Sequence, residues 1–526
     1  MSKRKANKYK EQQRLQLLNN SESISWWILL AVLLLIPLVL GLREFYFYSP
    51  NLVGSINDSQ SIPEVFVFYK WYVLMILSLL AFAVFVGRIT LLQQDIRSSY
   101  MNLPLAVLIG ALLLSLLLAE YHQIALLGMH DMREGASTWL CYFLLFFIAA
   151  QTTLPAGRDK FIMAALAIIV GINALMGILL FYGINIMDNH LIANLVLLGH
   201  AGQFSSSGEI FGTMTNPNYL SPLGACVGIF FMVLCILSEK PLRVWLTGLA
   251  AVVSFSIIYT SLSTSGFISI IATAVIALPT AIYLSRQRLQ SALRMAALLV
   301  AFIGLFFLYN AYNPSVMDET FGFMKGFAQS SAERIEQELD LPVAWADEID
   351  VIPVEGERPE STARVLSDTI SDPELLPVTP QPTFGSNRGY IWSESWALIT
   401  ASPKYMLVGY GLDTMAFYFP YGSQDHYAHR GNIDEIISKP HNFYLGVAYG
   451  MGIPALLAML ALFLLVLWKE KPRRGEGEST ALTAALWSMA VCFMVQFLVN
   501  DSSIGISIIF WIMMGLLVSV GREHHA

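Results

Sequence analysis

His441 and Asn442 head a long apolar stretch, in "SKPHNFYLGVAYGMGIPALL" (438–457). An imidazole titrates near neutral pH, and in its neutral form it accepts a proton. A histidine at the mouth of an apolar helix is therefore a candidate general base, or a structural residue of the interface. Upstream, "RGYIWSESWALIT" (388–400) read as a helix sets Arg388, Trp392 and Ser395 at i, i+4 and i+7 on one face. Ile391, Trp396 and Ile399 fall on an adjoining apolar strip. A guanidinium stays charged and grips phosphate through paired hydrogen bonds, which suits Arg388 to an anionic substrate group. The alternative is an interfacial helix whose arginine snorkels to lipid headgroups.

Other polar groups gather nearby in the chain. In "DHYAHRGNIDEIISKPHN" (425–442), Arg430 is a candidate substrate contact, and His426 and His429 stand beside Asp425 at a spacing seen in metal sites. A metal needs three or four ligands and no further ones stand out, so no metal is expected. Asn216 and Asn218, in "FGTMTNPNYLSP" (211–222), form a polar turn before an apolar run. The sequence has no nucleophile elbow, no zinc-protease helix, no Cys/His pair and no glycine-rich nucleotide fingerprint. Its four cysteines lie inside apolar runs and read as small core residues.

The elements that position these groups are membrane helices. Hydrophobic residues make up 56% of the 526 residues and charged ones 13%, against about 25% charged in ordinary soluble domains. Since crossing hydrocarbon takes about 20 apolar residues, about twelve spans are expected. They run at roughly 24–42, 70–87, 103–119, 137–152, 161–182, 219–237, 244–260, 265–284, 295–310, 442–468, 481–499 and 504–520. Every second connection is basic, including the head "MSKRKANKYKEQQRLQLLNN", Arg286, Arg288 and Arg294, and Lys469 to Arg474. The positive-inside rule then puts both termini in the cytoplasm. No cleavable signal is evident.

The expected fold is an all-α integral membrane protein with one large extracytoplasmic loop containing short helices. Its parts are a basic cytoplasmic segment (1–23), a bundle of about nine helices (24–310), the loop (311–440), about three further spans (441–520) and a short cytoplasmic tail (521–526). Within the loop, Ser330 and Glu333 form a capping-box pattern, and about 342–386 reads as a mobile acidic insertion. Ionisable groups avoid the span centres, and Lys70, Glu120, His122 and Asp501 all fall near span ends. That counts against an ion-coupled transporter, which keeps such groups deep in the membrane.

In this order, the pieces resemble the O-antigen ligase and O-antigen polymerase superfamily. The likeness rests on three motifs: His441-Asn442 followed by Gly452; Arg388, Trp392, Pro403, Gly409 and Gly411; and Gly212, Asn216, Pro217 and Asn218. The resemblance implies a glycosyltransferase of the bacterial cytoplasmic membrane. Such an enzyme moves a glycan from a polyprenyl-pyrophosphate (undecaprenyl-type) carrier to a hydroxyl of a glycan, lipid or protein acceptor, at the extracytoplasmic face. It implies inversion at the anomeric carbon, no metal or other cofactor, and no nucleic-acid partner. His441 and Arg388 take catalytic roles in this reading, and Asn442, Trp392, Arg430, Asn216 and Asn218 contact substrate. The chain departs from the family where Glu209 and Thr264 stand in place of common arginines; either Arg430, Arg364 or Lys439 substitutes, or the donor's phosphates are held differently. A repeat-unit polymerase of the same superfamily and a lipid-linked oligosaccharide flippase are the alternatives.

Overall fold

The computed structural model describes residues 3–45, 62–153, 157–199, 212–214, 216–321, 384–421, 436–474 and 478–523. These form an all-α membrane protein with one small antiparallel hairpin, β1 (Arg43–Phe45) on β2 (Ile62–Glu64). Eight helices are long and apolar enough to cross a membrane, and four shorter apolar helices accompany them. Eleven of the twelve expected spans each coincide with one helix.

The first, α1 (Lys3–Leu38), unites the basic head and the first span in one 36-residue helix. The head was expected as a separate cytoplasmic segment. It continues the helix because its Lys, Gln, Glu, Arg and Leu residues are good helix formers uninterrupted by Pro or Gly. Next come α2 (Phe68–Thr90), α3 (Asn102–Leu118), a short α4 (His122–Leu127), α5 (Ala136–Gln151), α6 (Asp159–Phe181) and a short α7 (His190–Val196). Helices α8 (Pro217–Leu237), α9 (Pro241–Thr260), α10 (Thr264–Leu284) and α11 (Arg288–Tyr312) follow, with α9 and α10 both packed closely on α8.

After residue 321, description resumes with α12 (Phe384–Thr400) and α13 (Pro403–Val408). Helix α12 starts inside the stretch expected to be mobile, so that insertion ends earlier than 386. The expected helix at Ser330–Glu333, and Arg364, His426, His429 and Arg430, lie outside the described residues.

The stretch 442–468, expected as one span, is two helices: α14 (Phe443–Met451) and α15 (Ile453–Lys469). Gly452 breaks it at φ 85°, a left-handed conformation that only glycine adopts readily, and a side chain there would run into the Leu407 carbonyl. The chain closes with α16 (Glu478–Gln496) and α17 (Ile504–Glu523).

Helices α8 and α17 are the buried centre, and α5, α9, α10 and α16 pack around them. A second, smaller core sits at one end of the bundle. There Tyr390, Ile391 and Ile399 of α12 pack with Tyr410, Phe419, Ala448 and Tyr449, fixing α12 on α14. Trp396, expected on the same apolar strip as Ile391 and Ile399, points outward at 50% exposure. The buried stripe is Ile391, Ser395 and Ile399 at i, i+4 and i+8, and Ser395 returns its hydroxyl to the Ile391 carbonyl. Deep in the bundle the buried cations sit at helix ends. Lys70, at the start of α2, donates to the Val39 and Thr213 carbonyls, and Arg88, near its finish, pairs with Glu22 at 3.2 Å.

Candidate active site

The site is built on the N-terminus of α14. Asn442 is its N-cap: the amide oxygen accepts from the Leu445 N–H at 3.0 Å. The amide nitrogen donates to the Leu498 carbonyl at 2.9 Å. Both ends of this buried amide are therefore engaged by backbone, which gives Asn442 a positioning task at the start of α14.

His441 precedes the cap at φ 53°, a left-handed conformation uncommon for a residue with a side chain. Asp501, in the turn between α16 and α17, holds it there. One carboxylate oxygen accepts the His441 backbone N–H at 3.0 Å and the imidazole Nδ1 at 3.1 Å, while the other accepts the Asn442 N–H at 3.1 Å. The Asp501 side chain is buried at 4% exposure and the His441 side chain is 44% exposed. With Nδ1 turned to the carboxylate, Nε2 is the nitrogen left to face a substrate, and Nδ1–H donation makes it the basic one.

Arg388, in α12, is half-buried and interacts electrostatically with the same carboxylate. Burial pulls its guanidinium below the ordinary value, and Asp501 and the Tyr219 phenol oppose that pull. Trp392 stands half-buried one turn further along.

The Asn216–Asn218 turn joins from the start of α8. Asn216 caps that helix by accepting the Asn218 N–H at 2.9 Å. Asn218 accepts from Ser263 at its side-chain oxygen, and from Ser265 and Asn500 at its carbonyl. Asn500, next to Asp501, also gives its own carbonyl to the Phe443 N–H. The three sequence motifs thus meet at Asn500-Asp501, a pair the sequence reading placed near a span end without assigning it a task. Its only signal was a polar "NDSS" (500–503) between two apolar spans.

Beneath this layer lies a second group that the sequence reading did not foresee. Asp413, Glu134, Asp131 and Asp501 surround Lys439, whose ammonium donates to the Ser502 carbonyl at 3.0 Å. Burial works against the charged Lys439, yet the four carboxylates outweigh it and hold its pKa above the ordinary lysine value. Lys439 was one of three candidate substitute cations for the donor's phosphates. It is buried instead, at 8% exposure, as the counter-charge of this cluster.

Asp413 accepts the Met129 and Glu134 N–H groups through one oxygen, and burial raises its carboxyl to about 6. Burial likewise raises Glu134, against the pull of Lys439 and hydrogen bonds from Tyr142 and Ser502. A cavity of about 40 Å³ lies between these groups and Pro440 and Phe443, and Asp501 lines it too. Among the described residues, no group of three or more His, Cys, Asp or Glu side chains could hold a metal ion.

Residues 249–460 match the family model described as O-antigen ligase. The match takes in Ser263–Ser265, Arg388, Lys439 and His441-Asn442. Asn216–Asn218 and Asp501 lie outside it and are joined to it by the hydrogen bonds above. No curated protein matches the chain.

Proposed function

We propose, from the match of residues 249–460 to the O-antigen ligase family model, that the chain transfers a glycan from a polyprenyl-pyrophosphate carrier to an acceptor hydroxyl. The observation that carries this reading is Asp501, a single carboxylate that orients the His441 imidazole and favours the charged Arg388 guanidinium electrostatically. The acceptor oxygen bonds to the anomeric carbon as the bond from that carbon to the pyrophosphate oxygen breaks, with inversion. His441 Nε2 takes the acceptor's proton, and Asp501 stabilises the imidazolium that results. Arg388 meets the charge that develops on the departing pyrophosphate, where a preorganised cation is most effective. Trp392 and the Asn216–Asn218 turn border the same end and are proposed to contact the sugars, as is Arg430 from outside the described residues. The basic connections at the opposite end of the bundle support an orientation in a bacterial cytoplasmic membrane with both termini inside and His441 facing out.

The test is His441→Ala and Arg388→Ala in membranes that supply lipid-linked glycan, with protein abundance matched. Lost product and accumulated donor are expected, and full product from both variants overturns the assignment. A transferred block of fixed size marks a ligase, and a ladder of lengths marks a polymerase.

A further inference from the structure

At the end of the bundle away from His441, α6 and α9 part around a cavity of about 760 Å³. This lies within the roughly 300–1,000 Å³ of small-molecule pockets. Its walls are apolar: Met163, Ala167 and Gly171 from α6, and Leu246, Ala250 and Val253 from α9. Its mouth is cationic. Lys160, Lys240 and Arg243 line it against one carboxylate, Asp159, which Arg243 reaches at 3.0 Å from one helix to the other.

Exposed aromatic rings fix the depth of that mouth. Trp245 is 78% exposed two residues beyond Arg243, and Trp27 is 47% exposed against Phe161, beside Lys160. Tryptophan collects at the boundary between headgroups and hydrocarbon, so the cations stand at headgroup level and the apolar walls run inward from them. Water in such a groove would wet apolar walls unfavourably, whereas an acyl chain would not. Basic pockets between spans are suited to anionic headgroups.

We propose that this crevice is a binding site for one anionic phospholipid, its phosphate on Lys160, Lys240 and Arg243 and one acyl chain between α6 and α9. The site is separated from His441 by the length of α8 and does not depend on the catalytic reading.

Native mass spectrometry of the full chain in detergent, titrated with phosphatidylglycerol or with phosphatidylcholine of the same chains, tests it. One phosphatidylglycerol should be retained at roughly tenfold lower concentration than phosphatidylcholine. The double variant Lys160→Gln/Lys240→Gln, made at two exposed positions, should bring the two lipids level. Gly171→Leu should reduce retention of both, because Gly171 lines the groove and a Cβ added there meets no neighbour within 4 Å. Equal retention of the two lipids by the unsubstituted protein overturns the proposal. So does unchanged retention in either variant.

Discussion

Asp501 reaches His441 twice through one oxygen, at the backbone N–H (3.0 Å) and at the imidazole Nδ1 (3.1 Å). Backbone and ring are thus set by the same carboxylate. Asp501→Asn removes the charge that stabilises an imidazolium and offers only one accepting atom for three donors. Initial rates should fall by about 10²-fold or more, the scale of general-base assistance. His441→Gln should fall at least as far. A rate for Asp501→Asn equal to that of the unsubstituted protein would remove the base from the proposed reaction.

Arg388 separates charge from shape. Replacement by Ala should lower kcat/KM by about 10²–10³-fold, as for loss of one preorganised oxyanion donor. Arg388→Lys keeps the charge but not the paired geometry and should fall between. Steady-state kinetics on both variants decide the matter: a lysine variant as fast as the unsubstituted protein would show that geometry is irrelevant there.

Asn442 caps α14, and Asn442→Ser preserves a capping oxygen. Asn442→Ala should cost about 1 kcal/mol and lower the melting temperature, while the serine variant stays close to the original in both stability and rate. A serine variant that melts normally yet loses transfer would return Asn442 to substrate contact.

Asp413 predicts a pH dependence. Its carboxyl titrates at about 6 in the folded chain against an ordinary 3.8. A raised acid favours folding below its unfolded value, and that contribution disappears as pH climbs through the folded value. Relative to Asp413→Asn, which keeps an oxygen for the Met129 and Glu134 N–H groups, the unsubstituted protein should lose stability between about pH 4 and about pH 6. The loss is on the order of 3 kcal/mol, from about two pKa units at about 1.4 kcal/mol each. Thermal melts of both proteins across that window check it, and a constant gap would contradict it.

The helices were legible because apolar runs of span length have no other use in so lipophilic a chain. Arg388 and His441 were legible because their chemistry is conspicuous against apolar neighbours. What escaped was whatever depends on a partner distant in sequence. Asp501 reads as an ordinary acid at a span end until the turn between α16 and α17 is folded under α14. Lys439 looked available to phosphate because its four carboxylates come from three separate loops. The break at Gly452 was hidden because an apolar run has the same composition whether it is one helix or two. Trp396 was misplaced by choosing a stripe one residue away from the one that packing selects.

The left-handed backbone at His441 sets stability and turnover against each other at one position. Glycine takes φ 53° freely, and relieving a side chain of such a conformation is worth on the order of 1–3 kcal/mol. His441→Gly should therefore yield an inert protein that withstands heat at least as well as the active one. A selection for robustness alone would drift away from histidine there, and its retention in a stabilised variant would have to be enforced by assaying transfer.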